Sequence, residues 1–240
     1  MTATALKAPT PKTPLPALAE VIYPDSDGQP MADNTRQFDY IVMIQGGLAA
    51  MFADRPEVFV AGDLLWYPVE GRPAIRIAPD ALVAFGRPKG YRGSYIQHRE
   101  GGIAPQVVFE VLSPGNTPAE MRKKLQFYDR YGVEEYYEYD PDRGTLRGWL
   151  RREGGLQAVD PLHDWVSPRL GIRFDLEGLD LVVYRPDGRR FETCLELEQR
   201  AEAERQRAEM ERQKVSVERQ RAERLAERLR ALGIDPDEER

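Results

Sequence analysis

Hydrophobic residues recur at helical spacing in two segments of the chain. The first covers about residues 36–52, where Asp33, Asn34 and Thr35 offer caps at the start. Its apolar positions are Phe38, Ile41, Val42, Ile44, Leu48 and Met51. The second, residues 118–131, starts after an N-cap and a capping box and stops at a glycine suited to the C′ position. Both segments are predicted to be α-helices.

Other segments are rich in aromatic and β-branched residues and are bounded by Pro or Gly, which is typical of strands. The polar segment 86–105, between the second and third of them, is longer than a hairpin loop, and long loops are often functional. The order strand, helix, strand across residues 106–140 predicts a right-handed crossover unit. The predicted strands are residues 58–69, 74–85, 106–113, 135–140, 146–151, 156–159 and 181–184.

The two ends of the chain differ from this α/β pattern, which covers residues 31–190. Residues 1–30 are rich in Pro, Thr and Ala, and we expect a disordered lead-in. Residues 191–233 are predicted to form a charged helix or a weak coiled coil, followed by a tail, 234–240. Small or apolar residues occupy every seventh position of the charged segment, namely Ala201, Ala208, Val215, Ala222 and Leu229.

The charged segment leaves two interpretations open. The other core positions of its heptads include Glu204, Glu211 and Glu218, which make a poor coiled-coil seam. An isolated helix held by pairs of opposite charges four residues apart fits this pattern. A weak coiled coil fits it too, and would give a homodimer or recruit a protein partner.

Composition narrows the class of protein. The chain has 240 residues, 41% of them hydrophobic, and a formal net charge of −6, which fits one domain with appendages. Cys194 is the only cysteine, so an intrachain disulfide and a Cys-based zinc site are excluded. No apolar run approaches the roughly 20 residues that span a bilayer, so we expect a cytoplasmic protein without a membrane partner. The acidic balance disfavours nucleic-acid binding over the whole surface but allows a local basic groove.

Three charged residues stand in apolar surroundings. Glu110 interrupts the apolar run 107–112, and Asp80 lies between two strand-like runs. A buried charge costs on the order of several kcal/mol unless a partner compensates it. Two carboxylates and one lysine in such places suggest a metal-dependent hydrolytic site. On a helical wheel, Lys124 falls near the centre of the apolar arc formed by Met121, Leu125, Phe127, Tyr128 and Tyr131.

Each of these residues also has a plainer interpretation. Asp80 follows a proline and suits a turn or a cap, Glu110 suits a structural salt bridge, and Lys124 could neutralise Glu110 or extend to the rim of its helix. In a functional site, the carboxylates would bind a hard cation such as Mg²⁺. The ammonium group would orient the attacking water or stabilise charge that develops at phosphorus.

Two motifs connect these residues to a known family. Pro79-Asp80, followed roughly 30 residues later by Phe109-Glu110-Val111-Leu112, resembles the PD-(D/E)xK nuclease superfamily. The longer string VVFEVLSPGNTPAEMRKKLQFYDRYGVEEYYEYDP resembles one branch of it, the Uma-two family of restriction-endonuclease-like proteins. The resemblance covers about residues 33–185.

The resemblance implies a restriction-endonuclease-like α/β core, with a mixed central β-sheet flanked by helices. It implies that Asp80 and Glu110 bind a divalent metal, Mg²⁺ or alternatively Mn²⁺. The superfamily pattern places a lysine two residues after the glutamate, where this chain has Leu112. Lys124 on the following helix is then the natural replacement.

The leading hypothesis is a Mg²⁺-dependent DNA endonuclease with Asp80, Glu110 and Lys124 as its catalytic residues. Asp63, Asn34 and Gln37 are further candidates for contacts to metal or water, and the sequence does not choose among them. The alternative is a catalytically decayed nuclease-fold protein that acts in binding or assembly through its C-terminal helix. Four basic residues of the 86–105 segment are predicted to neutralise DNA phosphates, namely Arg87, Lys89, Arg92 and Arg99.

Overall fold

The computed structural model describes residues 21–160 and 162–232. The predicted tail and residues 1–20 of the predicted lead-in lie outside this range. The helices are α1 (Thr35–Met51), α2 (Pro118–Tyr131) and α3 (Cys194–Ala231). The strands are β1 (Val58–Ala61), β2 (Trp66–Tyr67), β3 (Ala81–Phe85), β4 (Tyr95–Ile96), β5 (Val107–Val111), β6 (Glu135–Asp140), β7 (Thr145–Arg152), β8 (Gly155–Val159), β9 (Arg173–Glu177) and β10 (Asp180–Tyr184).

The central element is a mixed sheet of six strands in the order β1-β3-β5-β6-β7-β8. Strands β5 and β6 are parallel, whereas the other neighbours in this sheet are antiparallel. A parallel pair needs a long connection, which α2 provides. The predicted strand–helix–strand unit is therefore present, and the mixed α/β fold class is confirmed. Two small sheets, β2 with β4 and β9 with β10, accompany the central one.

Each face of the central sheet packs against its own helix. Helix α1 contributes Ile41, Ile44 and Leu48 to a core cluster with the odd-numbered residues of β5 and with the β9–β10 hairpin. Helix α2 contributes Tyr128 to a second cluster on the opposite face, together with Val108 of β5. Glu110, an even-numbered residue of β5, therefore projects from the α2 face among apolar side chains.

Local signals fix the start of α1 and both ends of α2. The Asn34 side chain accepts a hydrogen bond from the Gln37 backbone N–H at 2.9 Å, so α1 begins where its predicted caps stand. The Thr117 hydroxyl accepts one from the Glu120 backbone N–H at 3.2 Å, and Gly132 ends α2 with φ +95°. The predicted bounds of α2 match the structure because the N-cap, the proline at N1 and the terminal glycine all lie in the sequence.

The strand predictions were too long in two places. The predicted strand 58–69 is interrupted by Asp63, whose φ of +46° turns the chain, so it forms two short strands. The predicted strand 74–85 is regular only from Ala81 onward. Aromatic and aliphatic residues that lie between β1 and β3 pack outside the central sheet. Their composition resembles that of a strand, which is why the predicted strands were too long. Strand β9 and the two-residue strand β4 were not predicted.

The described part of the lead-in contacts the small β2–β4 sheet. The Tyr67 hydroxyl donates a hydrogen bond to the Pro24 carbonyl at 2.6 Å. The Tyr23 ring packs edge-on against the Tyr67 ring, with 5.1 Å between centroids. These contacts tie residues 21–30, which include no helix or strand, to β2.

Helix α3 extends for 38 residues, and none of its residues is buried. Opposite charges pair along its own surface, for example Arg219 with Glu223 at 2.9 Å. The helix as described is thus the charged helix that the sequence predicted, while its pairing in a coiled coil stays a prediction. None of the helices within the described residues has the length and apolar character required to cross a bilayer.

The neighbouring glycines Gly46 and Gly47 of α1 provide a matched test of this packing. A Cβ added at Gly47 would lie 2.4 Å from the buried ring of Phe191, whereas one added at Gly46 would meet nothing within 4 Å. We expect Gly47→Ala to lower the free energy of unfolding by about 1–3 kcal/mol through overpacking. Gly46→Ala should raise it by about 0.5–1 kcal/mol, because alanine favours the helix. Urea unfolding followed by circular dichroism measures both, and effects of the same sign would contradict the packing of Phe191 on α1.

Candidate active site

Charged side chains form a row across four neighbouring strands. Ala81 pairs with Phe109, and one residue further this register sets Asp80 opposite Glu110. Glu110 pairs in turn with Glu138, and Glu138 pairs with Arg147. Side chains alternate along a strand, so all four project from the face that α2 covers.

Both carboxylate oxygens of Glu110 are bonded to α2. The Lys124 Nζ donates to Oε2 at 2.7 Å, and the Tyr128 hydroxyl donates to Oε1. Lys124 and Tyr128 are four residues apart and therefore lie one turn apart on the same side of the helix. The side chain of Glu110 is only 2% exposed and that of Lys124 is 20% exposed. The helix thus presents a cation and a hydroxyl to one buried carboxylate.

The pKa of Lys124 reflects this environment. Burial acts to lower the pKa, but the negative charges of Glu110 and Asp80 and the hydrogen bond to Glu110 outweigh burial and raise it to about 12. Lys124 is therefore a protonated cation at neutral pH.

Asp80 lies opposite Glu110 and is also buried. Its Oδ2 accepts a hydrogen bond from the Val111 backbone N–H at 2.6 Å. Burial raises the pKa of Asp80 well above its usual value, and the charge of Glu110 adds to the rise, whereas Lys124 opposes it. Asp80 thus commits one oxygen to the backbone and has a second oxygen, Oδ1, to offer a cation.

Asp63 is close enough to interact with this group. It follows β1, and its backbone N–H donates to the Pro79 carbonyl at 3.1 Å. Burial raises the pKa of Asp63, with smaller contributions from the charges of Asp27 and Glu110. Of the three further candidates named from the sequence, Asp63 is therefore the one whose charge acts on the site.

The other two candidates have structural roles near the same strand. Asn34 caps α1. The Gln37 Nε2 donates to the Val111 carbonyl at 2.8 Å, and its Oε1 accepts from the Asp33 backbone N–H at 2.8 Å. Because Asp80 holds the N–H of Val111 and Gln37 holds its carbonyl, the peptide groups next to Glu110 are fixed from both sides.

Sequence analysis missed two members of the row, Glu138 and Arg147, and it missed the role of Tyr128 on α2. Glu138 is buried, accepts a hydrogen bond from the Tyr136 hydroxyl at 3.1 Å and is paired with Arg147 at 3.2 Å. Burial raises the pKa of Glu138, and these two partners act against the rise. The signal was present, because Glu138 interrupts an aromatic strand in the same way that Glu110 interrupts an aliphatic one. Tyr128 was recognised only as part of the apolar arc, since a sequence does not show where its hydroxyl points.

The basic residues predicted to meet DNA are largely engaged within the protein. Arg92 forms a two-pronged pair with Glu100, at 2.6 and 3.1 Å. Arg87 donates to the Glu100 carbonyl, and Lys89 donates to the Ala53 carbonyl at 2.7 Å near the end of α1. These bonds hold the 86–105 segment against the domain, and contact of this segment with phosphates stays a prediction.

The residues present fit a cation that keeps open coordination positions. No cluster of three or more Asp, Glu, His or Cys side chains suited to a metal ion occurs within residues 21–160 and 162–232. Magnesium commonly takes one or two carboxylates and completes its shell with water and phosphate oxygens. Asp80 and Glu110, facing each other across β3 and β5, match that smaller requirement.

A mixed sheet flanked by helices, with facing carboxylates at its centre, has the restriction-endonuclease-like architecture that the sequence motifs implied. The Uma2 family model, described as "Putative restriction endonuclease", matches residues 43–183. That is more than half of the chain, so the chain belongs to the Uma2 family, and the resemblance to that family is confirmed.

A solved structure and the curated proteins complete the comparison. The chain is similar to a "putative nuclease" from Anabaena variabilis ATCC 29413, with 14% sequence identity and a TM-score of 0.42. The likeness covers 56% of this chain and 72% of that one. No curated protein matches the sequence.

Burial of Asp80 has a consequence for the pH dependence of stability. Its pKa is raised on folding, so the metal-free protein loses stability as pH rises from the ordinary value of 3.8 through the folded-state pKa. Asp80→Asn keeps an acceptor for the Val111 N–H and removes the charge. We expect it to raise Tm at pH 7 by about 3 °C or more and to flatten the decline of Tm with pH.

Differential scanning calorimetry in EDTA measures this effect. Asp54→Asn, at an exposed position, is the matched control and should change Tm little. A lower Tm for Asp80→Asn at pH 7 would contradict the unfavourable burial of the Asp80 charge.

Proposed function

We propose that this protein is a divalent-metal-dependent endonuclease that hydrolyses DNA phosphodiester bonds. The proposal rests chiefly on an excess of negative charge at the site. Within the described chain, the buried carboxylates Asp80 and Glu110 share one cation, Lys124, and Asp63 adds to the same field. A structural salt bridge needs one carboxylate for one lysine, so the second carboxyl group is left to take a proton or, in place of the proton, a metal ion.

Asp80 and Glu110 would hold the metal ion. Bound there, Mg²⁺ would polarise a phosphate oxygen and make a coordinated water more acidic. The protein's part is to fix both carboxylates in a water-poor pocket, where electrostatic attraction to a cation is strong. The hydrogen bonds of Asp80 and Gln37 to the Val111 backbone fix the position of the strand, and the Tyr128 hydroxyl fixes the orientation of the Glu110 carboxylate.

Lys124 would act as a cation rather than as a base. In the metal-free protein its pKa is raised to about 12, so it carries its proton at neutral pH. It can donate a hydrogen bond to the attacking water or to a phosphate oxygen that gains charge in the transition state. Leu112 occupies the position of the usual motif lysine. The ammonium group therefore reaches Glu110 from α2 and not from strand β5.

DNA as the substrate is supported by the family description and by the site chemistry. A hard cation between carboxylates suits phosphodiester hydrolysis, in which the metal binds the phosphate oxygens. The competing function, assembly through α3, is favoured by that helix, which buries none of its residues. It does not account for two facing buried carboxylates with one lysine.

Cleavage of supercoiled plasmid tests the proposal directly. With Mg²⁺ or Mn²⁺, the wild-type protein should nick or linearise the plasmid. Glu110→Gln removes a metal-binding charge while keeping the shape of the side chain, and Lys124→Met removes the ammonium group. We expect each to lower the cleavage rate by about 10²–10³-fold. Gel electrophoresis of time points measures the rates.

Lys123→Met is the matched control, because Lys123 neighbours Lys124 on α2 but is exposed. It should cleave at nearly the wild-type rate. A folded wild-type protein that cleaves neither plasmid nor single-stranded DNA with either metal, and whose Tm neither metal raises, would refute the proposal and favour assembly. Full activity of Glu110→Gln would refute the assignment of the site.

A further inference from the structure

A cleft opens beside the row of charged side chains. It has a volume of about 270 Å³ and lies between the first turns of α2 and the strands β6 and β7. Glu138 lines it, and Glu138 is the direct cross-strand neighbour of Glu110. Neighbouring strands are about 4.8 Å apart, so the cleft adjoins the candidate metal site.

One wall of the cleft is apolar where the superfamily motif would place a charge. Leu112 follows Glu110 by two residues and lines the cleft with Met121 and Leu125 of α2. A lysine at position 112 would bring its ammonium group to this wall. Because the cation comes from Lys124 instead, an apolar surface lies directly beside the carboxylates.

An aromatic ring forms another part of the wall. Trp149 of β7 lines the cleft and is half-buried. Its ring stacks on that of Tyr136, with 4.8 Å between centroids and 17° between planes. The Tyr136 contact holds the indole in place from one side, and a held aromatic ring is the kind of surface on which nucleobases stack.

Arginines surround the mouth of the cleft. Arg122 is exposed and makes no hydrogen bond or ion pair with any residue that the structure describes. Arg147 is paired with Glu138, and its side chain is still 64% exposed. Arg143 also lines the cleft and is paired with Asp140 at 3.3 Å. Guanidinium groups bind phosphate through paired hydrogen bonds, so Arg122 is the group available for a phosphate.

We propose that the cleft binds one unpaired nucleotide of a DNA strand, next to the phosphate that is cleaved. The base would stack on Trp149 against the apolar wall, and its phosphate would pair with Arg122. The volume suits one nucleotide, and a base within a duplex is stacked and paired and cannot enter without being extruded. The inference rests on the proposed nuclease function and narrows its substrate to single-stranded or locally unpaired DNA.

Binding without metal separates this proposal from the chemistry. Fluorescence anisotropy in EDTA compares a labelled short oligothymidylate with a duplex of the same length. We expect tighter binding of the single strand and about tenfold weaker binding in Arg122→Glu. Lys123→Glu makes the same change of charge at the next residue, outside the cleft, and should weaken binding by about twofold or less. Binding should also quench tryptophan fluorescence, and Trp149→Phe should remove that quench.

Three outcomes would overturn the proposal: binding of the duplex at least as tight as that of the single strand, equal losses in Arg122→Glu and Lys123→Glu, or a quench that persists in Trp149→Phe. The nuclease proposal fails on separate grounds. A protein that binds the single strand through Arg122 but cleaves no DNA with Mg²⁺ or Mn²⁺ would keep the cleft and refute the nuclease. A protein that cleaves DNA but binds single strand and duplex equally would keep the nuclease proposal and refute the nucleotide-binding cleft.

Discussion

The ion pair between Glu110 and Lys124 is the interaction on which the site depends. A carboxylate on the central strand of a sheet is stable there only with compensation, and α2 provides it through Lys124 and the Tyr128 hydroxyl. The compensation is local and incomplete, because Asp80 faces the same carboxylate. The sheet places two like charges together, and the helix offers a single cation to both. This imbalance distinguishes the site from an ordinary buried salt bridge.

Much of the fold followed from signals that lie close together in the chain. Helix α2 was predicted with its observed bounds because caps, proline and glycine are local, and the placement of Lys124 followed from helical geometry. The strands were harder to predict, because the apolar stretch that follows β1 looks continuous in the sequence, whereas the chain turns at Asp63 and Trp66–Tyr67 pair in a separate small sheet. Sheet order depends on contacts between distant residues, which composition does not encode.

The candidate site was predictable only in part for the same reason. An acidic residue within an apolar run drew attention to Glu110, and the same criterion would have found Glu138. Pairing of the strands, which sets Asp80, Glu110, Glu138 and Arg147 in one row, needed the structure. The internal pairing of the basic segment 86–105 also needed the structure, because a count of charges does not show that Arg92 is paired with Glu100.

Asp80 has two roles, to place a carboxyl group opposite Glu110 and to bind the backbone of Val111, and removal of its side chain would abolish both. The same carboxylate that faces Glu110 also holds the backbone N–H of Val111, while Gln37 holds the carbonyl from the other helix layer. Loss of the side chain would release the strand end as well as the charge, so architecture constrains the residue at position 80 independently of the proposed chemistry. Under the proposed function, a related chain that had lost catalysis would still need a hydrogen-bond acceptor at this position, and asparagine would provide it without the charge.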